Sequence, residues 1–186
     1  CKHAETCGGC TWQALNYPEQ LKIKQNLIDS LFDVKSHAIC GGPQWQYRGK
    51  MQFSFSQDRE GNRYLGLMQK EGRGRVINIS ECSICDPWFA QTLKKAQCWY
   101  KACELEAFHP RKGTGALREL TLRKAYRGSG KMVILTVAGS AVPSKLQLNT
   151  FVEALDLDEN TSVFLLIHSA IKGRVTEFFE IHLRGP

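Results

Sequence analysis

The chain opens with Cys1-Lys2-His3-Ala4-Glu5-Thr6-Cys7-Gly8-Gly9-Cys10, a loop that holds three cysteines at the spacing C-x5-C-x2-C. Thiolates at this density are suitable ligands for zinc or for an iron–sulfur cluster. The pair Gly8-Gly9 predicts a tight turn that lets Cys7 and Cys10 converge on one centre. Because three ligands are one fewer than a closed site needs, the loop predicts a fourth ligand further along the chain.

The next dense cysteine segment is Ser80-Glu81-Cys82-Ser83-Ile84-Cys85, and it offers two candidates for the fourth ligand. If Cys82 and Cys85 join Cys7 and Cys10, the four form a four-thiolate zinc arrangement that leaves Cys1 unused. The stretch between those two pairs is much longer than the roughly 15 to 20 residues usual in such zinc sites. Either arrangement ties the N-terminus to the middle of the chain.

This spacing resembles that of the RNA 5-methyluridine methyltransferases, in the branch that carries a [4Fe–4S] cluster and mostly modifies ribosomal RNA. The similarity continues in family order through Trp12-Gln13, Tyr17-Pro18-Glu19-Gln20-Leu21-Lys22, Tyr47-Arg48-Gly49-Lys50-Met51-Gln52-Phe53, Leu65-Gly66-Leu67 and Glu81-Cys82-Ser83-Ile84. In the family, one residue and then an aliphatic residue follow the fourth ligand. The resemblance therefore implies that Cys1, Cys7, Cys10 and Cys82 bind the cluster, and that Cys85 does not.

The resemblance also implies a reaction for which this chain lacks the residues. In the family, a cysteine in a Cys-Asn-Pro context adds to C6 of uracil, S-adenosylmethionine methylates C5, and a carboxylate base helps to release the enzyme. The chain contains no Cys-Asn-Pro motif, and no glycine-rich turn begins an alternating βα succession. We therefore expect no catalytic residue here, a catalytic S-adenosylmethionine domain after residue 186, and no activity from this portion alone.

Composition points to a polyanionic partner. Lys and Arg number 25 against 18 Asp and Glu, which gives a net charge of +7 and favours RNA, by resemblance ribosomal RNA. Arginine pairs bidentately with phosphate, and basic side chains on predicted turns and polar strand faces can meet RNA. The candidate RNA-binding residues are Arg48, Lys50, Arg73, Arg75, Arg118, Arg123 and Arg174.

Cysteine usage and hydropathy indicate the compartment. The chain has eight cysteines, no signal peptide and no apolar run of membrane length. Thiols in such a chain serve metals rather than disulfide bridges. We therefore expect a cytoplasmic protein without membrane association.

Hydrophobic periodicity predicts three helices. Within residues 17–32, Leu21, Ile28, Leu31 and Phe32 recur at helical spacing. A second helix is predicted after Asp86-Pro87, which make a good N-cap and first-turn pair, and Ser144 is predicted to cap a third.

Alternating residues predict the strands. Met51, Phe53 and Phe55 begin a hairpin that returns through residues 64–67, and a short strand follows at residues 76–79. Two further pairs reverse at Gly128-Ser129-Gly130 and at Lys172-Gly173-Arg174. We therefore expect an α+β fold, with a mainly antiparallel sheet built from successive hairpins, intervening helices, and an N-terminal cysteine-cluster loop and helix.

These patterns suggest a domain organisation. Residues 1–12 form the cluster loop, residues 13–43 a helix and linker that pack on the catalytic domain, and residues 44–186 a central RNA-binding domain. Without that catalytic domain, the apolar face of the helix at residues 17–32 loses cover, so we expect either that the chain self-associates through it or that the helix is flexible and readily clipped by protease. The alternative to a portion of an RNA methyltransferase is a zinc-ribbon-like nucleic-acid-binding module without enzymatic activity.

Overall fold

A seven-stranded sheet forms the body of the protein in the computed structural model, which describes residues 1–170 and 173–186. In chain order the elements are α1 (Tyr17–Phe32), β1 (Lys50–Gln57), β2 (Arg63–Met68), β3 (Val76–Asn78), α2 (Pro87–Ala102), β4 (Leu117–Lys124), β5 (Lys131–Ala138), α3 (Lys145–Leu155), β6 (Thr161–Ser169) and β7 (Glu177–Arg184). The strand order is β3-β2-β1-β4-β5-β6-β7. The predicted α+β class is confirmed.

All neighbouring strands are antiparallel except β5 and β6, which run parallel. Parallel neighbours need a crossover connection, and α3 supplies it between these two strands. The side chain of Ser144 caps α3 by accepting a hydrogen bond from the backbone N–H of Gln147, as the sequence predicts. Asp86 caps α2 in the same way, because its side chain accepts a hydrogen bond from the backbone N–H of Trp88.

One face of the sheet and two helices enclose the core. Phe53 pairs with Leu120, Leu120 with Leu135, and Leu135 with Leu165, so large apolar side chains line up across four strands. Phe89, Leu93 and Trp99 from α2 join them, with Phe151 and Leu155 from α3. The residues that alternate with this set, including Lys50, Gln52, Thr121 and Arg123, belong to the opposite face of the sheet.

None of the first fifty residues is buried, and of these only Cys10 packs against the core. Asn16 and Glu19 form a capping box at the start of α1, and Asp33 ends the helix in a left-handed conformation. The apolar residues Leu31 and Phe32 at the end of α1 are 66% and 69% exposed. The expectation that a further domain or a second copy covers them stays a prediction.

Within residues 1–170 and 173–186, no helix has the length and apolar character that a membrane span requires.

Candidate functional site

The four cysteines predicted as ligands line one cavity. Cys1, Cys7, Cys10 and Cys82 all border a space of about 150 Å³ between the N-terminal loop and the segment after β3. Cys1 is exposed and the other three are partly buried. Cys85 is only 2% exposed, packs in the hydrophobic core and is not among the residues that line the cavity.

Backbone hydrogen bonds hold the N-terminal loop against the sheet. The N–H of Gly8 donates to the carbonyl oxygen of Met68 at 2.9 Å, and that of Lys70 donates to Thr6 at 2.9 Å. A third bond runs from the N–H of Ser80 to Nε2 of His3 at 3.1 Å, so this histidine nitrogen is used in positioning the loop. These bonds bring the loop beside Cys82, far along the chain.

The two glycines of the loop allow close approach rather than an unusual backbone conformation. Neither Gly8 nor Gly9 has a positive φ angle. A Cβ on Gly8 would lie 3.1 Å from the carbonyl oxygen of Met68, and one on Gly9 would lie 3.4 Å from Sγ of Cys7. The Gly9 N–H also donates to that sulfur at 3.4 Å. The nearest neighbours of both glycines belong to β2, since a Cβ on Gly9 would also lie 3.3 Å from Cδ1 of Leu67, so glycine here allows close packing on the sheet.

The sulfurs of Cys82 and Cys85 are a hydrogen-bonded pair. The Cys85 thiol donates to Sγ of Cys82 at 3.7 Å. This bond lowers the pKa of Cys82 to about 6 against the opposing effect of burial, and the N–H groups of Ile84 and Cys85 and the charge of Arg48 add to the lowering. The same bond, together with burial, raises the pKa of Cys85. Cys82 is therefore the thiolate of the pair, and thiolates are the form that binds metals.

The pKa of Cys10 is raised, in contrast to that of Cys82. Burial is the main cause that raises its pKa, and the negative charges of Cys82 and Cys7 add to this effect. The positive charge of Arg48 acts in the other direction. A cation bound among these sulfurs would remove the mutual repulsion, so the cavity favours the binding of positive charge.

A preformed site for a single ion is not present in the described ranges, where no three His, Cys, Asp or Glu side chains are close enough to share one metal. Tetrahedral zinc with Zn–S bonds of about 2.3 Å needs its sulfurs roughly 3.8 Å apart. Cys82 and Cys85 meet that spacing, but Cys7 and Cys10 do not complete it. A four-iron cluster takes one thiolate at each of four irons, so its ligands converge less tightly.

A second candidate surface lies on the sheet face opposite the core. Lys50, Arg118 and Arg123 line a shallow cavity of about 390 Å³ there, together with His168 and Phe178. The His168 and Phe178 rings stack with centroids 4.8 Å apart. Burial and then the charge of Arg118 lower the pKa of His168. Lysine, arginine and an aromatic platform together can hold phosphates and bases.

The structure separates the other predicted RNA-binding residues from this surface. Arg48 lines the thiol cavity instead, and its Nε donates to the Lys50 carbonyl oxygen at 3.1 Å. Arg73 and Arg75 lie between β2 and β3, and Arg174 lies between β6 and β7, at opposite ends of the strand order. Lys172 of the last predicted turn lies outside the described residues.

Sequence reasoning missed the aromatic part of the sheet surface. His168 and Phe178 belong to none of the motifs above. His168 alternates with the core residues Val163 and Leu165 on β6, which is a detectable signal, but β7 has no buried residue and gives no such signal for Phe178. Their contact depends on the pairing of β6 with β7, which places the two residues opposite each other.

The cavity thus brings four thiols together, and the neighbouring sheet surface carries basic and aromatic side chains. No family model matches the chain. Over its whole length it is 41% identical to a protein of Protochlamydia amoebophila and 30% identical to one of Chlamydia trachomatis, both named as uncharacterized RNA methyltransferases. It covers 46% and 50% of these proteins, so the chain spans about half the length of the curated relatives it matches.

A solved structure shares the fold. It is the tRNA (uracil-54, C5)-methyltransferase of Pyrococcus abyssi in complex with S-adenosyl-L-homocysteine, with a TM-score of 0.68. The match covers 93% of this chain and 40% of that one at 18% sequence identity, which shows a likeness of fold. The chain is thus homologous to proteins named as RNA methyltransferases and has the fold of a portion of a uracil methyltransferase.

Proposed function

We propose that this chain is the cluster-bearing, RNA-binding portion of an S-adenosylmethionine-dependent RNA uracil-C5 methyltransferase. The observation that carries the proposal is the 41% identity, along the whole chain, to a protein named as an RNA methyltransferase. The uracil specificity is supported by the fold shared with a tRNA uracil-C5 methyltransferase. Ribosomal RNA as the substrate belongs to the same proposal and follows from the motif resemblance, and the cytoplasm as the location belongs to it and follows from the cysteine usage.

The proposed metal centre is a [4Fe–4S] cluster bound by Cys1, Cys7, Cys10 and Cys82. Four thiols around one cavity are the donor set that such a cluster takes, and Arg48 beside them offsets negative charge. When bound, the cluster supplies a crosslink between the N-terminal loop and the segment after β3. Uracil methylation needs no electron transfer, so we assign the cluster a structural role.

The proposed RNA surface is the sheet face around Lys50, Arg118 and Arg123. Their side chains converge on one cavity with the stacked rings of His168 and Phe178. Glu119 on the same face accepts a hydrogen bond from Gln52, so this carboxylate already has a partner. Phosphates would pair with the cations and an unpaired base could stack on Phe178, as in other sheet surfaces that bind RNA. This chain therefore binds and positions RNA, and the methyl transfer itself belongs to residues outside it.

RNA titrations test the binding role directly. Replacing Lys50, Arg118 and Arg123 together by Ala should weaken binding and reduce the slope of log affinity against log salt, because each phosphate contact releases counterions. A variant with Ala at Arg59 and Arg127, two exposed arginines on turns, is the matched control. Wild-type protein that fails to bind structured RNA at low salt would refute the role.

The methyltransferase assignment is tested in cells. Deleting the gene that encodes this chain should remove a 5-methyluridine from ribosomal RNA, measured by mass spectrometry of RNA digests. Loss from transfer RNA instead would keep the reaction and correct the substrate. Unchanged 5-methyluridine in both RNA classes would refute the proposed reaction, and the purified chain alone should transfer no methyl group from S-adenosylmethionine.

One observation favours the alternative of a zinc-bound nucleic-acid-binding module. The Cys82 and Cys85 sulfurs lie 3.7 Å apart, the spacing of two ligands on one zinc ion. Metal analysis separates the two proposals, because the cluster requires about four irons and four acid-labile sulfides per chain. A single tight zinc in colourless, anaerobically purified protein would establish the alternative.

A further inference from the structure

A large groove adjoins the thiol cavity and shares no lining residue with the sheet surface. It has a volume of about 750 Å³ and lies between the end of the cysteine loop, the first turns of α1 and residues 42–48. Four aromatic side chains line it, and they are Trp12, Tyr17, Trp45 and Tyr47. Part of its lining belongs to residues 13–43, which the sequence predicts to pack on a catalytic domain, but the proposed function assigns the groove itself no ligand.

Hydrogen bonds fix the walls of the groove. The N–H of Gln46 donates to the carbonyl oxygen of Ser83 at 3.1 Å, and the N–H of Arg48 donates to Ile84 at 2.9 Å. On the other side, the N–H of Gly42 donates to the hydroxyl oxygen of Tyr17 at 2.8 Å. The segment that carries Trp45 and Tyr47 is therefore held on both sides, which reduces the entropy lost when a ligand binds.

The aromatic rings in this held segment are open to solvent. Trp45 is 43% exposed and Tyr47 is 51% exposed. Burial of a large aromatic side chain is strongly favourable, so two exposed rings that line one groove on a positioned segment indicate a ligand surface.

The charge of the groove selects the class of ligand. Lys24 and Arg48 line it, and Lys24 Nζ lies 5.4 Å from the centroid of the Trp12 ring. Among the described residues, none that lines the groove is an Asp or Glu. A groove that is cationic and aromatic fits a polyanion with planar rings, which is the chemistry of single-stranded nucleic acid.

We propose that this groove binds unpaired RNA nucleotides, with bases stacked on Trp45 and Tyr47 and phosphates paired with Lys24 and Arg48. The inference rests on the proposed RNA-binding function and adds to it a second, separate site. Cys10 and Ile84 line both the groove and the thiol cavity. The same protein segments therefore shape the groove and hold the thiols.

The test compares single-stranded with double-stranded RNA. The full 186-residue chain is titrated with a fluorescent 12-nucleotide oligouridine and with a 12-base-pair duplex, for wild type and for a Trp45→Leu/Tyr47→Leu double variant. The matched control is Tyr126→Leu, because Tyr126 is an aromatic residue that is 81% exposed and lies after β4. The double variant should bind the single strand at least about fivefold more weakly, the loss expected for one stacked base. Its duplex affinity should match that of wild type.

A second measurement does not depend on any variant. A 4-thiouridine oligonucleotide irradiated with the wild-type chain should crosslink to the peptide that contains Trp45. Unchanged single-strand affinity in the double variant, or crosslinks confined to the sheet surface, would overturn the inference while leaving RNA binding intact. Wild type that binds neither RNA would overturn the proposed function as well. If the double variant instead changes only the sedimentation of the protein, the groove is a contact between protein chains and the inference is wrong.

Discussion

Replacing Cys82 by Ser should remove the metal centre, whereas replacing Cys85 by Ser should leave it in place. Cys82 lines the cavity together with the three N-terminal thiols. Cys85 is 2% exposed in the core and contributes a hydrogen bond to Cys82, which a serine hydroxyl can also donate. The zinc arrangement instead predicts that Cys85→Ser loses the metal and that Cys1→Ser keeps it, because it requires Cys85 and leaves Cys1 unused.

The expected stability change follows from the loop that the metal centre closes. A link between Cys10 and Cys82 closes a loop of about 70 residues, which the disulfide estimate makes worth roughly 4 kcal/mol through lost entropy of the unfolded chain. Loaded wild type should exceed stripped wild type by up to about that amount in free energy of unfolding. Cys82→Ser should show no difference between loaded and stripped preparations. Cys85→Ser should keep the difference and lose at most about 2 kcal/mol in both states, as core substitutions of this size do.

The assay is anaerobic purification of single Ser variants at Cys1, Cys7, Cys82 and Cys85, with iron, zinc and sulfide analysis and urea unfolding. Cys98→Ser is the matched control, because Cys98 is an exposed thiol on α2. Equal metal loss in the Cys82 and Cys85 variants would refute the assignment of the fourth ligand. Full metal retention in the Cys1 variant would refute the role of the first cysteine.

Three further predictions concern the scaffold. Gly66→Ala should cost about 1 to 3 kcal/mol or more, because its Cβ would lie 2.0 Å from the carbonyl oxygen of Ile77; urea unfolding with an unchanged midpoint would contradict this. A hydrogen bond from Lys124 on β4 lowers the pKa of Asp86. The Asp86 carboxylate therefore stabilises the fold at pH values above the unfolded-state pKa near 3.9. This stabilisation is lost as the pH falls through the lower pKa of the folded state. The advantage of wild type over Asp86→Asn, about 0.2 to 1 kcal/mol at pH 7, should therefore vanish in acid unfolding titrations, and an advantage that persists at pH 2 would contradict the assignment. Leu31→Ala should lower the free energy of unfolding by less than about 1 kcal/mol, because Leu31 is 66% exposed. Leu135→Ala, which truncates a fully buried side chain, should lower it by about 2 to 5 kcal/mol. Equal losses in the two variants would place α1 in the core.

Local pattern was sufficient to predict the elements of this fold. The helix from Tyr17 to Phe32 has the predicted bounds, since its capping residues and its apolar spacing lie within the helix or next to it. The strand order was not predictable in the same way. The parallel pairing of β5 with β6 depends on where α3 crosses the sheet, which is a property of tertiary packing.

The candidate sites show the same difference between what local sequence predicts and what tertiary packing determines. Close spacing places Cys7 beside Cys10, and the motif around Cys82 identified the distant thiol that the structure brings to the same cavity. The arginines had no such constraint. Arg73 precedes the edge strand β3 and Arg174 precedes the opposite edge strand β7, so the strand order separates two turns that look alike in sequence. Lys50, Arg118 and Arg123 come together because β1 pairs with β4.

The exposure of the N-terminal region gives a physical reason for a crosslink at the thiol cavity. Ordering a residue costs about 1 to 2 kcal/mol of backbone entropy, which burial of apolar surface normally offsets. None of the first fifty residues is buried, so hydrogen bonds such as those of Gly8 and His3 must hold the cysteine loop. Such bonds each contribute only about 0.5 to 1.5 kcal/mol net. A metal centre that joins the loop to Cys82 would add stability where no residue of the loop is buried, and it would fix one wall of the groove that carries Trp45.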